Sequence, residues 1–402
     1  MLFLRNLIGL AAVAGGAAGH AFPQAQAPEA SSPTSSSSSS SSSASAAAAA
    51  SSTSSPAAST GQACNNSPSL CNRSYNNITH MGAHNSPFLR DQSTGDSLSG
   101  NQFLNATLAL DSGLRLLQAQ VHKPNSSLEL CHTSCSLLDA GALETWLSSI
   151  HTWLTQNPNE VITLLLVNAD KAPASEFGPL FDRAGLSDLA YKPATGNELS
   201  ASWPTLQAMI AANTRLVSFV TNIQYAASTP YLLPEFTHVF ETPFEVASID
   251  GFNCTIDRPS RASKEPASSA LASGYLSLVN HFKYQSVLAG VEIPDVSSIE
   301  TVNSAGGSVV GNLGKHLGEC RGQWNRVPNF VLVDFWNRGD VIAAVDGMNG
   351  VSDAVGRKVM EGGNGGKQSQ EESGGERSQR TVGLGGGFGV VMGFLFVVLV
   401  LV

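Results

Sequence analysis

Three short stretches place titratable side chains where they can do chemistry. In GAHNSPF (82–88), His84 and Asn85 follow Asn77-Ile78-Thr79-His80 at the end of a strand-like segment. In LCHTSC (130–135), His132 closes a short strand after the Asn125-Ser126 turn. In NFVLVDFW (329–336), Asp334 sits inside an otherwise apolar run. A lone buried histidine is commonly just a hydrogen-bonded structural residue. A carboxylate in an apolar strand needs more explanation, because burying it without a partner is costly. Pairing Asp334 with a histidine removes that cost, fixes the imidazole tautomer and raises its basicity. Asn168 and Asp170 end another strand and can either touch a polyol or cap the following helix. His281 and Tyr284 follow a further strand. His80 and His122 are expected at the surface or in support of the site, and Trp324, Phe335 and Trp336 in the core.

The elements that must position these residues alternate in type. LRLLQAQVH (114–122) reads as a strand. ALETWLSSIHTWLTQN (142–157) puts Leu143, Trp146, Leu147, Ile150, Trp153 and Leu154 on one helical stripe, closed by Pro158. VITLLLVN (161–168) follows as an apolar strand, and WPTLQAMIAAN (203–213) leads into RLVSFVTN (215–222) in the same way. SLVNHF (277–282) and NFVLVDFW also read as buried strands. Apolar strands alternating with amphipathic helices indicate a parallel sheet covered on its outside. An open doubly wound sheet is the alternative, but neither a GxGxxG nor a P-loop motif is present. The segment 61–355 is therefore expected to form an α/β, TIM-type (β/α) barrel, whose active site lies at the C-terminal strand ends.

The order GAHNS, DSGLRLLQAQ (111–120), LCHTS, helix, EVITLLLVN and LVDFW resembles the X-type catalytic domain of phosphatidylinositol-specific phospholipase C, closest to fungal secreted members. The resemblance covers about Cys64 to Asn349. It implies that His84 is the general base that takes the inositol 2-hydroxyl proton. It implies that His132 is the general acid that protonates the departing diacylglycerol oxygen, and that Asp334 orients the base. Asn85 matches a metal-ligand Asn of calcium-dependent members and an Asp of bacterial ones. At Gln118 and Gln120 the chain departs from both patterns. Calcium-dependent members have acidic ligands there, and bacterial members an arginine that neutralises the phosphate. Two amides lack the charge density that calcium normally requires, so no metal or other cofactor is expected. They also lack an arginine's bidentate, charge-assisted contact. Asn85, Gln118, Gln120 and Asn168 are the expected substrate-binding residues.

The ends of the chain carry other signals. Residues 1–21 have the layout of a secretory signal peptide, with cleavage expected after Ala21 or, second, Ala27. Residues 22–60 are a Ser/Ala-rich stretch expected to be a disordered, O-glycosylated stalk. Residues 356–382 form a Gly/polar linker, and the apolar tail 383–402 has no basic residue after it. That pattern is the signal for a glycosylphosphatidylinositol (GPI) anchor, attached at Ser373 or Asn364. Six cysteines fit an oxidising compartment, and pairing sequence neighbours is the simplest of the connectivities they allow. Glycosylation acceptors begin at Asn65, Asn72, Asn77, Asn105, Asn125 and Asn253. A net charge of −9, with no Lys/Arg cluster, argues against a nucleic-acid partner.

The expectation is a monomeric, secreted or cell-surface, GPI-anchored phosphodiesterase acting on inositol phospholipids or GPI-type glycolipids. A non-catalytic surface protein that binds headgroups or glycans is the alternative. A metal-dependent enzyme of the glycerophosphodiesterase type is a third reading, weakened by the two glutamines.

Overall fold

The computed structural model describes residues 62–288 and 291–360. The expected signal peptide, stalk, both GPI attachment candidates and the apolar tail lie outside the described residues. The strands are β1 (His80–Ala83), β2 (Leu116–His122), β3 (Glu129–Cys131), β4 (Asp139–Ala142), β5 (Ile162–Asn168), β6 (Leu216–Val220), β7 (Leu232–Pro234), β8 (Val239–Glu241), β9 (Leu276–Asn280), β10 (Tyr284–Leu288), β11 (Val291–Pro294) and β12 (Phe330–Val333). The helices are α1 (Ala106–Asp111), α2 (Leu143–Gln156), α3 (Ala174–Arg183), α4 (Leu206–Ala211), α5 (Glu235–His238), α6 (Ala267–Ala272), α7 (Ile299–Val302), α8 (Leu313–Trp324) and α9 (Val341–Asn349). Each strand expected from its apolar run is present, trimmed by a few residues where the run continues into a loop.

Eight parallel strands form one curled sheet in the order β7-β6-β5-β2-β1-β12-β9-β8. Alternation along the strands shows why it curls. Leu116, Leu165, Val217, Phe219, Leu233, Val239, Leu276, Leu278, Phe330 and Leu332 converge in one inner cluster. Their neighbours, among them Leu117, Leu164, Leu166, Val220, Phe240, Val279 and Val331, face outward into a second cluster with the helices. Both faces are thus dry, which explains the unbroken apolar runs.

The expected α/β barrel is found, with one seam. The edge strands β7 and β8 are consecutive in the chain and joined only by the single turn of α5, with no ladder between them among the described residues. The strands β3 and β4 form an antiparallel annex on β2, and β10–β11 form a separate hairpin after β9.

The three disulfides join sequence neighbours: Cys64–Cys71, Cys131–Cys135 and Cys254–Cys320. Among the glycosylation acceptors, Asn65 is a correction. It is buried, and its amide is spent on the Val161 N–H and carbonyl. The other five acceptors are exposed.

Candidate active site

The ladder between β1 and β12 aligns Ala83 with Val333. The next residues, His84 and Asp334, therefore emerge side by side at the C-terminal end of the sheet. Both point inward, because Leu332, two residues before Asp334, belongs to the inner cluster. His84 Nδ1 and Asp334 Oδ1 are 2.7 Å apart, with both side chains nearly inaccessible. The carboxylate fixes the hydrogen on Nδ1, which leaves Nε2 as the proton-accepting atom. The imidazole lies flat on Phe282, with ring centroids 3.7 Å apart and planes 1° from parallel.

A loop that the sequence did not single out supports this pair. Asn101 Nδ2 donates to Asp334 Oδ1 at 3.0 Å. Gln102 Nε2 donates to His84 O at 2.7 Å and Val333 O at 3.1 Å, and its Oε1 accepts from Trp336 N. Gly100 allows this approach, since a Cβ there would collide with Leu89 O and Arg90 N. Asn303 Nδ2 holds the Asp334 carbonyl from the opposite side at 2.9 Å. Arg90, half-buried, places its guanidinium 5.2 Å from the Phe335 ring centroid; burial lowers its pKa and the Asp334 charge opposes that shift.

His132 lies on the turn between β3 and β4, bracketed by the Cys131–Cys135 disulfide. Its backbone N–H is held by Leu138 O at 2.9 Å, and its ring meets the edge of Phe88. Burial pushes His132 down to about 4, helped by the charges of His84 and His122. Tyr284, beside Asp334, stays a neutral phenol because burial and that carboxylate push it well above its usual range.

The glutamines sit on the inward face of β2. Gln118 Oε1 accepts the Asn85 backbone N–H, and Gln120 Oε1 accepts Thr133 N at 2.9 Å. A backbone N–H donates only to the amide oxygen, so each side chain is oriented with its NH2 group away from that contact. Neither NH2 is bonded to a described residue. Asn85, at φ 48°, has a buried Oδ1 without a hydrogen-bond donor. This donor set does not suit a hard cation, because Asn85, Gln118 and Gln120 are neutral amides without the negative charge that such an ion requires. Among the described residues, Cys254, His316 and Cys320 are close enough to hold a metal, but the two cysteines are disulfide-bonded.

Other expected residues are placed differently. Asn168 spends both amide atoms on the Ala172 backbone, at 2.9 Å each, and so holds the turn after β5. Asp170 accepts from Lys123 N and lies 3.5 Å from His122, which supports the mouth. His80 is neither at the surface nor near the site. It is buried at the opposite end of the barrel against Tyr75 and Phe330, and burial lowers it to about 4. Its inward direction on β1 and the narrow barrel floor account for this. Arg115, from the DSGLRLLQAQ segment, is structural, bound to Glu160. Trp324, Phe335 and Trp336 are core residues. Across the mouth, Glu241 at the end of β8 is bound by Arg258 and Asn280. Burial and Glu241 hold the neighbouring Glu235 carboxyl well above the usual range.

The PI-PLC X family model matches residues 70–349, which includes every residue of this constellation. The chain belongs to the PI-PLC X domain family. A PI-PLC X domain-containing protein 1 from Arthroderma benhamiae is 38% identical over 290 residues, covering 72% of this chain and 90% of the relative. A second protein of that fungus, described as an uncharacterized secreted protein, is 35% identical over 293 residues, covering 72% of this chain and 64% of its own length. Among solved structures, the Listeria monocytogenes phosphatidylinositol-specific phospholipase C aligns with TM-score 0.46 and 13% identity, over 70% of this chain and 96% of that one. PI-PLC X membership and the curled (β/α) sheet together make this a phospholipase C-like phosphodiesterase fold.

Proposed function

We propose that the protein cleaves the phosphodiester of inositol phospholipids or GPI-type glycolipids at or outside the cell surface. The observation that carries this reading is the buried 2.7 Å contact between His84 Nδ1 and Asp334 Oδ1. It leaves a single basic nitrogen at the barrel mouth with its tautomer set. His84 Nε2 takes the proton of the inositol 2-hydroxyl, whose oxygen attacks phosphorus. The bond from phosphorus to the glycerol oxygen breaks as His132, whose protonated form the negative charge of the bound phosphate favours against the effect of burial, gives that oxygen its proton. The products are a cyclic inositol phosphate and diacylglycerol.

The glutamines supply the phosphate contact. Gln118 and Gln120, each pinned through its oxygen, offer amide N–H groups to phosphate oxygens in place of an arginine or a cation. Preorganised neutral donors in a water-poor site stabilise developing charge substantially. Secretion and GPI anchoring fit a lipid substrate in an outer leaflet, and the relative described as secreted supports the first of these.

The test is a 31P NMR assay on phosphatidylinositol vesicles and on a GPI-anchored protein, with and without EDTA. The expected outcome is a cyclic phosphodiester product that EDTA does not suppress and that His84→Ala and His132→Ala abolish. Headgroup binding without product, unchanged in both variants, would instead identify a non-catalytic binding protein. Product only with added divalent metal would identify a metal-dependent phosphodiesterase.

A further inference from the structure

His281 and His316 are fully buried, and neither has a part in the chemistry above. Their Nδ1 atoms are 3.0 Å apart. His281 Nε2 lies 2.9 Å from Val302 O, and His316 Nε2 lies 3.1 Å from Asn253 O. Carbonyl oxygens only accept, so each Nε2 must carry hydrogen. Two neutral rings would then set one Nδ1 lone pair against the other. Three contacts need three protons, one more than two neutral imidazoles hold.

The pair and its partner Val302 lie next in the chain to one residue that packs on the candidate base and one that holds its carboxylate strand. His281 directly precedes Phe282, the ring stacked on His84. Val302 directly precedes Asn303, whose amide holds the carbonyls of Asp334, Phe335 and Arg338. The Cys254–Cys320 disulfide fastens the Asn253 side to α8, which carries His316. Phe252 stacks on His281 and tilts against His316, closing the pair off.

We propose that His281 and His316 are a positioning pair that shares one extra proton, and that this proton fixes Phe282 and Asn303 against His84 and Asp334. The proposal rests on the phosphodiesterase reading for its catalytic consequence, but not for the proton itself. Burial disfavours the charge, lowering His316, while Glu319 on α8 opposes that shift. With His316 charged, burial and that charge push His281 down to about 3, so a second extra proton is refused. The other charged groups nearby are already engaged. Lys315 binds Glu319, Asp250 binds Ser248, Lys283 binds Asp295, and Glu300 of α7 is turned to Gly339 N. A metal in place of the proton is disfavoured, since the adjacent sulfurs are disulfide-bonded. The three-proton form fills as pH falls and empties as pH rises. Emptying costs one of three contacts: to Val302, to Asn253, or between the rings.

The test is a pH titration of the intact 15N-labelled protein by long-range 1H–15N correlation, with the rings assigned through His281→Gln and His316→Gln. The expected result is one proton taken up by two rings, with both Nε2 atoms protonated in the three-proton form and both Nδ1 signals moving together. Independent titration, or a ring protonated only at Nδ1 at every pH, overturns the shared proton. A change in these signals on adding EDTA overturns it in favour of a bound cation. Should either variant not fold, the wild-type titration alone decides.

Positioning is read on the His84 Cε1–H resonance, which sits in the ring current of Phe282 and is expected to shift along the pair's titration. A His84 signal that ignores the pair's titration overturns positioning. In cleavage assays, the inflection that tracks the pair is expected to vanish in His316→Gln; its persistence also overturns positioning. Absence of cleavage by the wild type would defeat the phosphodiesterase reading and leave both NMR tests standing.

Discussion

The side chain of Gln120 accepts the backbone N–H of Thr133 at 2.9 Å, which ties the turn carrying His132 to the inward face of β2. Gln118 does the same for Asn85, beside His84. Each glutamine therefore holds one loop of the candidate site with its oxygen, and in the proposed reaction its NH2 meets the phosphate. Gln118→Glu and Gln120→Glu separate these roles. A carboxylate still accepts the backbone N–H but offers no donor and repels phosphate. Each variant should keep its melting temperature within a few degrees and lose about 10²-fold or more in kcat/KM, the scale of removing one preorganised donor. Unchanged kinetics would mean that the phosphate is held elsewhere, with Arg90 the next residue to test.

Asp334→Asn tests the orientation of His84. The amide can be accommodated between Asn101 and His84, but it no longer favours hydrogen on Nδ1 or stabilises the imidazolium. In a comparable arrangement that tautomer error costs about 10⁴-fold in kcat. We expect a loss of about 10³-fold or more in kcat with little change in KM, measured on phosphatidylinositol in mixed micelles. A loss below tenfold would show that His84 works without its carboxylate.

Gln102 joins the ends of β1 and β12 by bonding His84 O, Val333 O and Trp336 N. Gln102→Ala leaves two buried backbone groups, His84 O and Trp336 N, without this partner, while Val333 O keeps the His84 N–H at 2.9 Å; each unsatisfied group costs about 1–3 kcal/mol when not relieved by water. A destabilisation of about 2–4 kcal/mol by urea unfolding is expected, together with lost activity, because β1 and β12 carry His84 and Asp334. A stable but inactive variant would instead point to a direct role in binding.

How far the sequence reveals this site depends on the kind of force involved. Asp334 is legible because a carboxylate inside NFVLVDFW must have a partner, and the alternating apolar runs give the sheet. The roles of Asn101 and Gln102 are not legible. They sit in a polar loop of no distinctive pattern, and their bonds to Asp334 and Val333 span more than 200 residues. Phe282 reads simply as the end of an apolar strand, since stacking on His84 leaves no periodic trace. The seam is hidden for a related reason: β7 and β8 have three residues each, too short for a period to show. His80 illustrates the opposite error, where a polar residue beside a motif is drawn toward the site although strand alternation sends it to the barrel floor.

Buried neutral histidines also set the acid limit of the fold. His80 and His238 are both buried, and burial lowers each to about 4. The unfolded rings protonate near pH ~6.5, so between that value and about 4 the unfolded chain binds more protons than the folded one. Stability conferred by keeping these rings neutral is complete above pH ~6.5 and falls as pH drops toward 4, at up to ~1.4 kcal/mol per pH unit for each ring. Below about 4 the folded rings protonate as well and their contribution stops changing. His238 Nε2 has no hydrogen-bond partner among the described residues, so His238→Leu removes the titration without breaking a bond at that atom. Urea unfolding between pH 7 and 4.5 should show a shallower loss of stability in this variant than in the wild type. Parallel curves would mean that His238 titrates normally and that another group governs acid unfolding.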